Sequence, residues 1–531
     1  MKMTAKRVAS WMPLGSSRAI LALYLIGTIG AVHAQERSPR LGTSGNWAEI
    51  QVLDEATGRG VPLVELETTN SMKFVTDNAG RVAIQEPGLM GREVFFTLRS
   101  HGYEMQKDGF GFAGTRVRLR PGSPGTIKLK RRNLAERLCR LTGEGLYRDS
   151  VLLGYDVPLG ELNPGNVAGQ DSIQSAVYRD QVYWFWGDTS RMEYPLGLFR
   201  MAGATNPAAM IADPAFDPAG GIPYRYFVDA TGFARAMMPL PDRPEGVVWV
   251  GALCVVPDGQ GVERLVAHYT RRKGLAEEYE QGVAIFDMSR SLFESAKQLP
   301  LDETWRRPSG HPIVYEEEGT KWLLFGSPTP NVRVPATLAG VLDLQQYQAF
   351  TCARETSGDK PIEPELRADG AAHWRWQTVL PPMNSQTEHE WLEQGKLRPE
   401  DARFCPSDAS EPTDRVILHS GSVRWNSYRE RWVLVAGQVW GKTSMLGEVW
   451  YSEAQHPTGP FAKAVKVVSH DRQSFYNVCH HPILDRNSGQ IIHFEGTYTN
   501  EFSGNSERTP RYNYNQVLYR LDLQVVEKFL R

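Results

Sequence analysis

From residue 46 onward, apolar positions fall into short runs of period two, each broken by a polar turn. Residues 48–53, 61–66, 81–84, 94–98 and 117–120 read as strands, with turns such as 54–58 (Asp-Glu-Ala-Thr-Gly) and 76–80 (Thr-Asp-Asn-Ala-Gly) between them. That spacing predicts a small β-sandwich over 46–131. The basic stretch 128–140 is compatible with a helix and is expected to act as a connector. From about residue 163 a new rhythm begins: a short apolar strand, a polar turn, then a stronger apolar strand. It occurs at 175–178 with 182–186, 253–256 with 264–269, 312–315 with 321–325, 422–425 with 431–435, and 482–484 with 490–494. Five matched hairpins predict a five-bladed propeller over 160–525. Such repeats usually take ~40–50 residues, so these blades need long loops. The insertions 190–245 and 328–415 supply them. The alternating tail 511–523 is expected to close the ring and remove a free sheet edge. The fold class expected is therefore all-β, a five-bladed β-propeller preceded by a small β-sandwich.

Composition narrows the setting. Among 531 residues there are 49 Gly, 34 Pro, 14 Trp, 20 Tyr and 20 Phe, which suits a turn-rich β protein with aromatic faces for sugars. A formal charge of −2 gives no reason to expect a nucleic-acid or anionic-membrane partner. Residues 1–34 read as a signal peptide: Lys2, Lys6, Arg7 and Arg18 precede an apolar segment, and Ala-Val-His-Ala34 fits signal peptidase. Its apolar run is too short to span a bilayer comfortably, and no later run approaches ~20 residues. The mature protein is expected to be secreted or periplasmic, with no membrane span after cleavage. Five scattered cysteines (Cys139, Cys254, Cys352, Cys405, Cys479) do not make a disulfide scaffold, although one bridge is allowed. Oligomeric state is left open.

The hairpin at 175–186 carries the candidate chemistry. Asp171 stands just before its first strand and Asp188 just after its second, so the fold-back should return both to one sheet edge. Two carboxylates there, with Trp184 and Trp186 alongside, are what glycosidic hydrolysis needs. Asp and Gly beside strands are also ordinary turn residues. Burial against Trp186 and the nearness of a second acid would keep one carboxyl protonated. Aligning the hairpins brings Trp249, residues 309–311 with His311, His419, and residues 477–480 with Asn477 and His480 to a comparable height. These positions, with Trp186, are the expected substrate-binding set. Glu448 and Glu495 are reserve acids, each expected more readily as a structural carboxylate. His311, His419, His480 and His481 could supply nitrogen ligands to a metal, but adjacent residues of a strand face opposite ways and no H-x-x-x-H occurs. Hydrogen bonding to sugar hydroxyls is the better use for them.

Two resemblances bear on this reading. Val-x-Asp-x-x-Thr-Gly, Thr-Asp-x-x-Gly-Arg and a closing Gly-Tyr, over about 46–131, resemble carboxypeptidase-regulatory-like domains, which implies an accessory module without an active site. Asp171 and Gly187-Asp188-Thr189 resemble the blade-one motif of five-bladed propeller glycoside hydrolases. These are the arabinanases, levansucrases and invertases, and above all the endo-D-arabinanase-like group. The resemblance implies an exported glycosidase acting on a polysaccharide or oligosaccharide through Asp171 and Asp188. It requires no cofactor, although calcium in the channel is admitted. The competing expectations are a non-catalytic carbohydrate-binding or surface-interaction propeller, and a metal-dependent hydrolase or lyase.

Overall fold

The computed structural model describes residues 46–159, 165–193, 201–355 and 362–530. The expected signal peptide lies outside them, and the described residues all belong to one compact unit, Pro39–Arg531. Two four-stranded sheets open the chain and enclose a core of Ile50, Val52, Leu66, Phe96 and Leu129. The connector expected at 128–140 is not helical. Gly125–Arg131 is a strand of the sandwich and Glu136–Arg140 a strand of the ring. The reason is period two: Ile127 and Leu129 are buried while Lys128 and Lys130 are exposed.

Five sheets follow, antiparallel except for one short parallel pair, Ser407–Asp408 with Lys463–Ser469, at the edge of the fourth. Blade one is Gln174–Tyr178, Gln181–Phe185, Gly203–Pro207 and Arg225–Tyr226. Blade two is Val247–Pro257, Glu263–Lys273, Glu277–Asp287 and Leu292–Leu299. Blade three starts with Ile313–Glu317 and Thr320–Phe325, and blade four with Leu418–Asn426 and Arg431–Gln438. Blade five is Ser474–His480, Ile491–Thr499 and Asn515–Asp522, and its fourth strand is Glu136–Arg140. The tail therefore closes the ring only with help from the N-terminal side of the chain. It then ends in a helix, Leu523–Leu530, docked by Leu523 and Val526. In blade five the expected first strand at 482–484 is instead a 3-10 turn, because Pro482 has no amide to give a ladder.

The cores lie between neighbouring blades. Val182, Trp184 and Trp186 pack with Leu138, Cys479 and Leu518 in the seam to blade five. Tyr183 and Phe185, of opposite parity on the same strand, pack with Leu265 and Phe286 in the seam to blade two. A strand buried on both faces reads as continuous aromatics, as this one does. Leu323 and Phe325 join Val256 and Val266 between blades two and three. Tyr315 and Trp432 meet edge to face at 5.8 Å between three and four, and Val433 and Phe475 share a core between four and five. The inner strands of blades two, four and five each carry a register shift, near Ala252, His419–Ser420 and Asn477. Such bulges re-aim side chains near sites.

The sandwich is fixed to blade five. Asn78 mimics a strand partner, donating to Arg140 O and accepting from Arg140 N, both at 2.9 Å. Glu136 is 4 % exposed and joins Arg59 (3.2 Å) of the sandwich to Arg520 (2.8 Å) of the blade.

Candidate active site at the mouth of the ring

Hairpin geometry assembles the first half of the site. Val177 pairs with Val182 across a two-residue turn, Arg179-Asp180, with positive φ at both positions, as a tight hairpin prefers. Beyond the paired strands the chain ends stay joined: Gly187 N donates to Asp171 O at 2.8 Å, and Asp188 N donates to Asp171 Oδ1 at 2.8 Å. A Cβ on Gly187 would stand 2.4 Å from that same oxygen, so only glycine lets the carboxylate in.

Blade five supplies the second half. Tyr476 donates its hydroxyl to Asp171 Oδ2 at 2.9 Å, and Tyr514 also hydrogen-bonds the Asp171 carboxylate. Ser172 does the same while accepting from Asn477 Nδ2 at 2.6 Å. Asn477 N in turn donates to Ser420 Oγ (2.9 Å), which lies 3.0 Å from His419 Nδ1. Ser172, Asn477 and Tyr514 all take left-handed backbone conformations. For Ser172 and Tyr514 that costs about 1 kcal/mol or more each, a strain typical of functional positions.

The two acids are held differently. Asp188 Oδ1 accepts from Trp249 Nε1 at 2.7 Å, from blade two. Burial, and then the charge of Asp171, push its carboxyl up to about 7; the Trp249 bond pulls the other way and Glu501 adds a further push. Burial also raises the Asp171 carboxyl, but four donors oppose it: the Tyr476 and Tyr514 hydroxyls, the Asp188 amide and Ser172. The anion is thus better solvated by protein at Asp171, and the proton better kept at Asp188.

The other expected residues are distributed more widely. Asn477 and His419 connect to the pair through Ser172 and Ser420, as above. Trp186 does not offer a binding surface. It is 1 % exposed, stacked on Tyr226 at 5.3 Å and edge-on to Tyr224 at 4.8 Å. Strand parity sends it, with Trp184, into the seam with blade five rather than up beside the acids. His480 is likewise buried, with Nε2 3.0 Å from both oxygens of Asp485. Glu448 pairs with Lys466 at 3.1 Å on the outer strands of blade four. Glu495 and His311 meet His481 and Cys479 in a separate cluster. Among the described residues no group of three or more His, Cys, Asp and Glu is disposed to hold a metal ion. None of the described helices is long and apolar enough to cross a membrane. All five cysteines are unpaired and buried, so the allowed bridge is not formed. A cavity of about 910 Å³ lies apart from the acids, between the sandwich (Arg99, His101, Lys128) and blade five (Arg472, Glu507).

Tyr476, Tyr514 and Glu501 were not anticipated. Their signals were adjacency alone: Tyr476 precedes Asn477, and Tyr514 sits between two asparagines.

No protein-family model and no curated protein matches the sequence. Among solved structures the chain is similar to an α-L-arabinofuranosidase from Fusarium graminearum, at 10 % identity over 74 % of this chain and 99 % of that one, with a TM-score of 0.34. It is similar to a GH43_1 enzyme from Xanthomonas citri, solved with xylotriose, at 13 % identity over 66 % and 86 %, TM-score 0.31. It is also similar to an N-acetylgalactosamine deacetylase from F. plautii at 8 % identity over 73 % and 95 %, TM-score 0.32. These scores describe a loose likeness of shape, and the assignment of a reaction rests on the site itself.

Proposed function

We propose that the protein is an exported glycoside hydrolase that cleaves a polysaccharide or oligosaccharide with Asp188 as general acid and Asp171 as base or nucleophile. The observation that carries this is the placement of two partly buried acids, joined across one hairpin, in unequal hydrogen-bonding surroundings: Asp171 accepts from the Tyr476 hydroxyl and the Asp188 amide, and Asp188 accepts from the Trp249 indole. Asp188 is pushed up to about 7 and holds a proton for the leaving oxygen. Asp171, with its donors, presents the negative charge that an oxocarbenium-like transition state needs. Trp249 offers a half-buried indole at the same mouth, and His419 an exposed imidazole, for sugar faces and hydroxyls.

Screening the purified protein against a polysaccharide panel, with D171N and D188N as controls, tests the proposal. Release of reducing ends by the native protein and its loss in both variants is the expected result. Equal release by all three proteins would overturn the assignment. A second reading, a non-catalytic carbohydrate-binding propeller, is favoured by one detail: Asp171 Oδ1 caps the Asp188 amide as a loop-positioning group would. On that reading the protein binds glycans, releases no product, and D171N melts lower.

A further inference from the structure

A second ionisable cluster lies below the carboxylates and has no part in the proposed hydrolysis. Four of the five cysteines sit where burial pushes the thiol up to about 12: Cys139, Cys254, Cys352 and Cys405. Cys479, on the inner strand of blade five, has a different environment. Its Sγ stands 3.6 Å from His311 Nδ1 of blade three and 3.9 Å from His481 Nδ1. On its far side His481 Nε2 lies 2.8 Å from Glu495 Oε1, while Glu495 Oε2 is buried without a partner. Ser175 Oγ, from blade one, is 3.2 Å from His481 Nδ1, and the Trp184 ring meets that imidazole edge-on at 5.4 Å. Thiol, imidazole and carboxylate are thus in line, with the imidazole held on both sides.

We propose that Cys479 is a nucleophilic thiolate that reacts with hydrogen peroxide and other small peroxides, with His481 as proton donor and Glu495 as its positioning residue. The sulfur attacks one peroxide oxygen, so an S–O bond forms and the O–O bond breaks. Sulfur is oxidised by two electrons and the peroxide is reduced by two. The departing hydroxide takes the Nδ1 proton of His481 and leaves as water, and Cys479 becomes a sulfenic acid. Electrostatics agree with the geometry. Burial opposes charge at Cys479, yet the His311 and His481 imidazoles overturn it and hold the thiol well below its ordinary range. Burial also opposes charge on His481, but Cys479 and then Glu495 push it up to about 10. Low-pKa thiols are the reactive ones, and thiols in apolar surroundings are inert.

Access sets the reagent size. Cys479 itself has no exposed surface, but Ser175 and His311 beside it are both partly exposed. Ser175 and His311 are the side chains that a molecule as small as peroxide would have to pass, and a bulky disulfide reagent is excluded.

The test treats the native full-length protein with hydrogen peroxide from pH 6 to 8 and maps oxygen addition at all five cysteines by peptide mass analysis. Cys479 is expected to oxidise at least tenfold faster than the others, at a rate nearly flat with pH. Silence at Cys479 until the protein unfolds would overturn the proposal, and so would a rate rising tenfold per pH unit, as for an ordinary thiol. E495Q, and H311Q in case E495Q folds poorly, should slow oxidation at pH 6 more than at pH 8. A pH-independent rate in a folded E495Q protein would remove Glu495 from the scheme.

Discussion

The mouth and the cluster below it are two answers to the same problem, charge held partly or wholly out of water. At the mouth, Asp171 and Asp188 have the same sign, so burial and mutual repulsion both favour keeping a proton on one of them. In the channel, Cys479 and His481 have opposite signs once the proton moves, so each stabilises the other's charge against burial. The first arrangement makes an acid that holds a proton near neutrality. The second makes a nucleophile. Both draw on strands Gln174–Tyr178 and Ser474–His480 or the residues flanking them, and side-chain direction decides which one each residue joins.

This contrast predicts that the largest effect comes from removing either acid. D171N and D188N should each lower turnover about 10³-fold, within the range for a general acid or base, on any polysaccharide that proves to be a substrate. Next in size, H481Q leaves the buried Glu495 without its imidazole partner and Cys479 with His311 alone. It should destabilise the fold by about 3–5 kcal/mol in urea unfolding, because a charge then stays buried and unpaired. D188N should show no comparable loss. Smaller still, W249F removes the donor that pulls the Asp188 carboxyl down. The alkaline limb of the pH–rate profile, which marks loss of the Asp188 proton near pH 7, should move upward. The same limb should move downward in an Asp171 variant retaining measurable activity, since the repelling charge is gone.

The smallest effect is on stability against pH. Asp188 binds its proton more tightly folded than unfolded. Its stabilising contribution is therefore complete below about pH 3.8 and fades as pH rises through about 7. D188N lacks that decline, so its melting temperature relative to the native protein should increase from pH 5 to pH 8. A constant difference would mean that Asp188 titrates as an exposed acid.

Local order along the chain carried the hairpin that joins Asp171 to Asp188, because a two-residue turn returns its flanks wherever the strand sits. Alternation likewise carried the sandwich strands at 48–53, 81–84 and 94–98 and most of the blade hairpins, since period two is a property of the strand itself, whereas the strands expected at 61–66 and 117–120 lie at Glu65–Thr68 and Gly114–Arg118. Other features depend on which blade lies next to which. Trp186 looks like a sugar platform until the ring closes and its face becomes the seam with blade five. Tyr476 and Tyr514 reach Asp171 across some three hundred residues of chain, and no spacing rule connects them. Strand Glu136–Arg140 looks like a basic connector because its pairing partner, Asn515–Asp522, lies at the other end of the chain.

The sequence by itself determined the elements and the local pairing of the acids, since backbone periodicity and turn chemistry act over a few residues. Only the tertiary structure decided which acid keeps its proton, which cysteine meets two imidazoles, and how the ring shuts. Those depend on desolvation and on charges brought together from different blades, and both exist only once the sheets have packed.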